Sequence, residues 1–341
     1  MPDSCILAPL ARLRKSAYME EEPLPNNKDI DVPPALVERI GLQYARQRLA
    51  VERDHEAQVF GYGLNFFHPE NWYSLHDLLT AGLRVSGLYE RGRRNAHEVR
   101  LRRNVFSSHT LPAVFDGYSL LHLSDLHADT SGGAMSRASE LISGLRYDLC
   151  VWTGDYRGRT AGDFLSSIRA LAKLRDKIRT DIFAVLGNHD SVLMVPHLEN
   201  MGIRMLMNES TEIDRGGARI YLAGIDDAHF FRADNIEKAT QSLPARCFKM
   251  LLSHTPETYK QAARAGFSVM LSGHTHGGQI CLPYGIPLTL DAVLPRAMGA
   301  GAWSWGEMQG YTSVGVGTSI VPVRFNCPPE ITLHELRCLN A

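Results

Sequence analysis

The sequence predicts an α/β fold in which buried, largely parallel strands alternate with helices. From about residue 97 onward, short apolar runs alternate with longer stretches of helical periodicity. The apolar runs are continuous, which is typical of strands covered on both faces by other layers. The predicted strands occupy residues 118–124, 149–153, 182–186, 219–223, 250–253 and 269–272.

Helices are predicted between these strands. They occupy residues 135–146, 163–179, 235–243 and 256–265. The last of them begins with Thr255, Pro256 and Glu257, a capping residue followed by a proline suited to the first helical turn. From residue 279 onward the chain is richer in Gly and Pro. This part is expected to supply strands of a second sheet or loops that cover the functional site.

Length and composition restrict the class of protein. The 341 residues are 44% hydrophobic and 21% charged, as in a globular protein with a sizeable core. The 36 basic and 37 acidic residues nearly cancel, so no nucleic-acid partner is expected. The six cysteines form no CxxC pair, which favours buried thiols in a reducing compartment. A metal is therefore expected to bind through the 14 histidines and the carboxylates.

Residues 1–95 are predicted to be an N-terminal helical extension of unknown role, before a catalytic domain at 97–341. Residues 1–34 look irregular, and helical periodicity covers 35–56 and 74–94. No apolar run approaches the ~18 to 20 residues of a spanning helix. The first residues place positive charges after a short apolar stretch, unlike a secretory signal. We expect a cytoplasmic protein, with peripheral attachment to the inner membrane as an open alternative.

Polar side chains follow five of the predicted strands at once. Residues just past the carboxyl ends of parallel strands converge on one edge of a sheet, where ligands bind. Asp, Asn and His suit Mn, Fe, Zn or similar divalent ions. The candidate ligands are Asp125, His127, Asp155, Asn188, His254, His274 and His276. Seven side chains can hold two ions if one carboxylate bridges, and two ions about 3.5 to 4 Å apart form the clamp used for in-line displacement at phosphorus.

Each of these motifs has a simpler explanation when taken alone. D-x-H is a common tripeptide, and GD usually marks a turn. The five motifs in this order, each at the end of a predicted strand, favour a metal site over a series of plain turns. Two carboxylates, two divalent ions and one hydroxide would leave a net positive charge, which attracts a phosphate ester.

The order D-x-H, GD, GNHD, H and GHxH resembles the signature of the calcineurin-like metallophosphoesterase superfamily. The strings SDLH, TGDY, GNHD, SGHTHGGQI and VPVRFNCPPEITL are similar to its bacterial phosphodiesterase branch. Some members of that branch hydrolyse UDP-diacylglucosamine in lipid A synthesis. The resemblance covers residues 97–341 and implies a four-layer α-β-β-α sandwich.

The resemblance also implies a role for each candidate residue. The first metal ion would be held by Asp125, His127, Asp155 and His276. The second would be held by Asp155, Asn188, His254 and His274, with Asp155 bridging. A metal-bridging hydroxide, positioned by Asp125, would attack phosphorus. His189 would be the general acid, oriented by Asp190. Mn²⁺ is the preferred ion, with Fe and Zn as alternatives.

The substrate is less constrained by the sequence. Protein Ser/Thr phosphatases of the superfamily read GDxxDRG where this chain reads GDYRGR, which argues against a phosphoprotein. The candidate substrate-contacting residues are Arg157, Arg159, Phe230, Arg232 and Trp303. The preferred substrate is a lipid-linked nucleotide sugar such as UDP-diacylglucosamine. A cyclic nucleotide or other small phosphodiester is the enzymatic alternative, and a metal-binding scaffold without turnover is the non-enzymatic one.

A basic stretch lies between Arg84 and Arg103. It contains seven arginines and two glutamates. One interpretation is a surface for an anionic membrane. The other is a solvated face or a set of internal ion pairs.

Overall fold

Two six-stranded sheets form the centre of the protein. The computed structural model describes residues 31–58 and 73–340. The first sheet contains, in spatial order, β1 (Arg100–Ser108), β14 (Glu330–Cys338), β2 (Ser119–Leu123), β3 (Leu149–Trp152), β4 (Ile182–Ala184) and β5 (Ile203–Met205). The second contains β12 (Gly301–Trp305), β13 (Met308–Thr312), β9 (Val269–Ser272), β8 (Lys249–Leu252), β7 (Ala218–Gly224) and β6 (Glu209–Arg215). A short hairpin joins β10 (Cys281–Leu282) to β11 (Ile286–Pro287).

Within each sheet, the strands that precede the candidate ligands run parallel to one another. In the first sheet, β2 pairs with β3 and β3 with β4 in parallel. In the second sheet, β8 pairs in parallel with both β7 and β9. The carboxyl ends of these strands therefore lie at the same edge of each sheet, as the sequence predicts.

The inner faces of the two sheets share one apolar core. Its buried side chains include Leu120 and Val151 of the first sheet and Leu222, Met250 and Leu271 of the second. Burial of both faces explains why these strands read as continuous apolar runs.

Helices cover the outer faces. The first sheet is covered by α5 (Gly132–Ser143), α6 (Leu165–Arg175) and α7 (Val195–Asn200), and the second by α8 (Ile236–Thr240) and α9 (Tyr259–Arg264). The order helix, sheet, sheet, helix confirms the predicted four-layer α-β-β-α sandwich.

The N-terminal helices are α1 (Pro34–Ile40), α2 (Leu42–Gln58), α3 (Tyr73–Val85) and α4 (Tyr89–His97). Each of the two helices predicted from periodicity is split in two, at Gly41 (φ 82°) and near Gly87 (φ 69°), because the chain there adopts a left-handed conformation that a helix cannot continue through. Leu36, Ala45 and Leu49 belong to the core on the outer face of the first sheet. The division of the chain at residue 95 stays a prediction, and most of the irregular segment 1–34 lies outside the described residues.

Some elements were not predicted. The strands β1 and β14 lie at one side of the first sheet, and β1 buries only Phe106 fully while exposing Arg100, Arg102 and Arg103. Its apolar pattern is therefore too weak to mark it as a strand.

Within the described ranges, no helix is long and apolar enough to cross a membrane.

Candidate metal centre

The structure brings the seven predicted ligands together at the junction of the two sheets. Asp125 and His127 follow β2, Asp155 follows β3 and Asn188 follows β4, while the three remaining histidines follow β8 and β9. All seven side chains are buried. One ligand atom from each of four residues lies within 4.8 Å of the others, and these residues are Asp125, His127, Asp155 and His276.

The other three ligands are Asn188, His254 and His274, and both rings contact the amide oxygen of Asn188. Its Oδ1 atom lies 2.9 Å from His254 Nε2 and 2.9 Å from His274 Nδ1. Asp155 lies between the two groups. Its Oδ2 atom is 3.7 Å from His127 Nε2, and its Oδ1 atom is 3.3 Å from His254 Nε2. The two oxygens of this carboxylate therefore face different halves of the cluster.

A glycine allows the two sheets to approach so closely. A Cβ atom on Gly273 would lie 1.9 Å from Ser124 Oγ and 2.3 Å from Asp125 Oδ2. The next amide, that of His274, donates to Asp125 Oδ1 over 3.0 Å. The absence of a side chain at Gly273 thus lets the end of β9 contact the ligand that follows β2.

The backbone is strained at most of the ligands. Five of the seven have a positive φ, and they are Asp125 (50°), His127 (38°), Asp155 (58°), His274 (70°) and His276 (49°). Each such residue costs on the order of 1–3 kcal/mol and persists only where the surroundings enforce it. Strain concentrated in this way is typical of a functional site.

The hydrogen bonds of His127 make it suitable for binding a cation. Its Nδ1 atom lies 2.8 Å from the carbonyl oxygen of Arg157 and must donate to it. Burial, followed by the charge of His189, lowers the pKa of His127 to about 4, so the ring is neutral at pH 7. Nε2 therefore presents a bare lone pair, 3.2 Å from His276 Nε2. A bare lone pair on this ring, together with the carboxylate oxygens of Asp125 and Asp155 in the same cluster, fits a divalent ion.

The two carboxylates differ in their protonation equilibria. Burial raises the pKa of Asp125 to about 6. Burial acts in the same direction on Asp155, but the charges of His254 and His189 outweigh it and hold the pKa of that carboxyl well below its usual range. Burial opposes the charging of His254, yet Asp155 raises the pKa of this histidine to about 10. A metal ion on His254 would therefore compete with a proton.

The side chain of Asp190 binds backbone amides, whereas the resemblance assigns it to the ring of His189. Its carboxylate accepts hydrogen bonds of 2.8 Å from three backbone amides, those of Asp155, Tyr156 and Gly187. The ring of His189 is instead held through Nδ1, 3.1 Å from the carbonyl oxygen of Gly158. Asp190 thus fixes the loops that carry the ligands. A short carboxylate satisfies nearby backbone donors more readily than it reaches a neighbouring ring.

Arg157, a candidate substrate-contacting residue, binds the backbone of neighbouring loops in this structure. Its side chain is buried, and its three nitrogens donate to the carbonyl oxygens of His189, Gly162 and Thr160. The guanidinium therefore supports the loop that follows Asp155. Arg159, in contrast, is exposed.

Trp303, another candidate substrate-contacting residue, packs into the protein interior. It lies in β12, is buried in the core on the outer face of the second sheet, and donates from Nε1 to Thr312 Oγ1 over 2.9 Å. Of the two alternatives expected after residue 279, this segment forms a strand of the second sheet, paired with β13. Phe230 is buried, with its ring against that of Phe231, whereas Arg232 is exposed.

Sequence reasoning missed two contacts at the site. Arg324 is fully buried, donates to the carbonyl oxygens of Val314 and Gly317 over 2.6 Å each, and lies 3.2 Å from His276 Nδ1. The ring centroids of His229 and His274 are 4.3 Å apart. The string VPVRFN contains Arg324, but nothing in its local pattern indicates burial.

Comparisons with known proteins agree with this geometry. Residues 118–278 match the family model described as calcineurin-like phosphoesterase. The chain is 31% identical over 228 residues to the metallophosphoesterase YkoQ of Bacillus subtilis, which covers 64% of this chain and 83% of that protein. It is 29% identical over 249 residues to the phosphodiesterase YaeI of Escherichia coli, with coverage of 70% and 87%. The chain is a metal-dependent phosphoester hydrolase. It belongs to the calcineurin-like phosphoesterase family.

Proposed function

We propose that the chain hydrolyses phosphodiesters with two divalent ions. The first would be held by Asp125, His127, Asp155 and His276, and the second by Asp155, Asn188, His254 and His274. The observation that carries the proposal is the position of Asp155, whose two oxygens face the two halves of one buried cluster. When bound, such ions supply Lewis-acid polarisation of the phosphoryl group and activation of the attacking water.

We propose that His189 protonates the leaving oxygen. Its Nδ1 atom is bound to Gly158, so Nε2 is the nitrogen that faces the cluster, 3.9 Å from Asp155 Oδ2. A proton on Nε2 can therefore be given to an oxygen that departs from a phosphorus atom bound at the cluster. The ring is not among the proposed ligands, so acid catalysis and metal binding are separable.

Replacing His189 tests this separation. His189→Ala should lower the turnover of an aryl phosphodiester by about 10²-fold or more, because the leaving oxygen loses its proton donor. Metal content, measured by mass spectrometry, should stay at two ions per chain. His109→Ala, at an exposed histidine, is the control. If His189→Ala loses its metal ions, the residue is a ligand and the general-acid assignment is wrong.

A lipid-linked nucleotide sugar, such as UDP-diacylglucosamine, is the proposed substrate class. The support is the hairpin of β10 and β11, which begins five residues after His276. It exposes Leu282 (50%), Tyr284 (101%) and Ile286 (51%). Exposed apolar side chains that follow a metal ligand closely in the chain suit an acyl chain.

A substrate panel distinguishes this class from a cyclic nucleotide. UDP-diacylglucosamine, a cyclic nucleotide and an aryl diester are compared with the same metal-loaded protein. The double variant Leu282→Ser with Ile286→Ser should lower kcat/KM only for the acylated compound. A preference for the cyclic nucleotide, with no effect of the hairpin variant, would show that the lipid assignment is wrong.

The basic stretch between Arg84 and Arg103 is proposed as the contact with an anionic membrane. All seven of its arginines are exposed. Co-sedimentation with vesicles of phosphatidylcholine and phosphatidylglycerol should weaken as salt is added, because exposed charges are screened. Absence of binding at low ionic strength would exclude this contact.

A further inference from the structure

The helix α2 reaches the loop after β4 through the buried side chain of Arg48 and the partly buried side chain of Glu52. Arg48 is 2% exposed, and its Nη2 atom donates to the carbonyl oxygen of Asp190 over 3.3 Å. Glu52 accepts hydrogen bonds from the hydroxyl of Ser191 (2.6 Å) and the amide of Val192 (2.8 Å). An ion pair of 2.7 Å between Arg48 Nη1 and Glu52 Oε1 joins the two side chains across one helical turn. Hydrogen bonds thus join the loop to a helix that precedes it by about 140 residues in the sequence.

Arg48 also binds the loop after β7. Its Nε atom lies 3.0 Å from Oδ2 of the buried Asp226, which accepts a second hydrogen bond of 2.6 Å from the hydroxyl of Tyr44. The guanidinium carbon lies 3.5 Å from the centroid of the Phe231 ring. One side chain of α2 therefore connects two loops at the edge where the metal cluster lies.

These contacts hold the three residues that directly follow His189. The carboxylate of Asp190 anchors the same loop to the amides of Gly187 and Asp155. The main chain after His189 is therefore fixed both by its own acidic side chain and by α2. Loss of Arg48 would leave the buried carboxylates of Glu52 and Asp226 without their cation, so both loops would have to move to reach water or another donor.

We propose that Arg48 and Glu52 are positioning residues that hold His189 in register with the metal cluster. The inference rests on the proposed role of His189 as the general acid. The helix α2 belongs to the N-terminal extension, for which the sequence predicts no role. The inference makes this helix part of the catalytic site.

The first test compares two aryl diesters, one with a 4-nitrophenol leaving group and one with the poorer phenol leaving group. Arg48→Met in the full, metal-loaded chain should lower kcat by about tenfold or more, since a displacement of about 1 Å can cost that much. The loss should be larger for the phenol ester, which depends more on protonation. KM and metal content should stay close to wild type, and Arg48→Lys should recover part of kcat.

Arg39 provides a matched control. It lies on α1, where it binds Glu199 and Glu209 over 2.7 Å each, with no recorded contact to residues 190–192. Arg39→Met should lower thermal stability and leave kcat near wild type for both esters. Both variants are assayed below their melting temperatures. The inference is overturned if Arg39→Met lowers kcat as much as Arg48→Met does. It is also overturned if Arg48→Met keeps the wild-type kcat.

A milder variant covers the case in which Arg48→Met does not fold. Glu52→Gln removes the negative charge of the carboxylate that accepts a hydrogen bond from the Val192 amide. Hydrogen exchange of the peptide spanning residues 187–194 should become faster, with a lower kcat for the phenol ester. Unchanged exchange and unchanged kcat would overturn the inference.

The role of His189 is tested separately on the same two esters. If His189→Ala shows no dependence on the leaving group, the general-acid proposal fails by itself. If His189→Ala shows a dependence on the leaving group and Arg48→Met does not, the positioning role of α2 is wrong and the general-acid proposal stands.

Discussion

Two histidines outside the metal cluster form a buried, neutral pair between the sheets. His122 Nδ1 lies 3.2 Å from His334 Nε2. The outer nitrogens bind Thr153 Oγ1 (2.8 Å) and Asn104 Nδ2 (3.2 Å). The ring of Tyr311 packs edge-on against both. No charged group is among their recorded hydrogen-bond partners in the described residues, so a proton on this pair would be uncompensated.

This pair should make stability depend on pH. Burial lowers the pKa of His122 to about 3, and burial together with His122 lowers that of His334 well below its usual range. Both folded-state values lie below the unfolded value of about 6.5, so the unfolded chain binds more protons. The stabilising contribution is therefore complete above about pH 6.5 and is lost as the pH falls towards 3.

The variant His334→Gln tests this dependence. Between pH 7 and pH 5, the free energy of unfolding of the wild type should fall more steeply than that of the variant, by up to about 1.4 kcal/mol per pH unit. Urea titrations at each pH measure the difference, with the exposed His109→Gln as control. Parallel pH profiles for wild type and His334→Gln would contradict the neutral buried pair.

At the scale of elements, the site depends on how closely the ends of β2 and β9 approach. Gly273 follows β9 directly, and its amide donates to the carbonyl oxygen of His254 over 2.8 Å. A side chain at this position would occupy the space of Ser124 and Asp125. The two sheets supply different ligands, so their separation decides whether the ligands can meet.

Gly273→Ala should therefore damage the metal site more than the fold. Overpacking of this kind costs about 1–3 kcal/mol, and the displaced group is the carboxylate of Asp125. Metal content should fall below two ions per chain, with a loss of diesterase activity. Gly132→Ala, at the start of α5, is the matched control because nothing lies within 4 Å of its added Cβ atom. Equal metal content in both variants would show that the approach of the strands is not critical.

At the scale of the whole molecule, the strands that carry the ligands could be predicted from the sequence. They are parallel and covered on both faces, so each is a continuous apolar run, and β9 was predicted with the bounds that the structure gives. The strands β1 and β12 could not be predicted in this way. The first has only one fully buried side chain, and the second becomes a strand through pairing with β13 rather than through its own pattern.

The candidate ligands were predictable for the same reason, because position at a strand end is a local property of the sequence. The contacts of the residues around these ligands could not be predicted from the sequence. The partners of Arg48 lie 142 and 178 residues away, and nothing in the helix pattern indicates them. The same holds for Arg157, whose burial depends on how the loop after Asp155 folds back on His189.

Metal titration of the depleted chain tests the central claim most directly. Diesterase activity and bound metal are measured on the same samples, first after verified removal of metal and then during the addition of Mn²⁺. The two-ion cluster predicts an inactive depleted chain whose activity returns and saturates at two ions per chain. Full activity without metal, or saturation at a single ion, would contradict it.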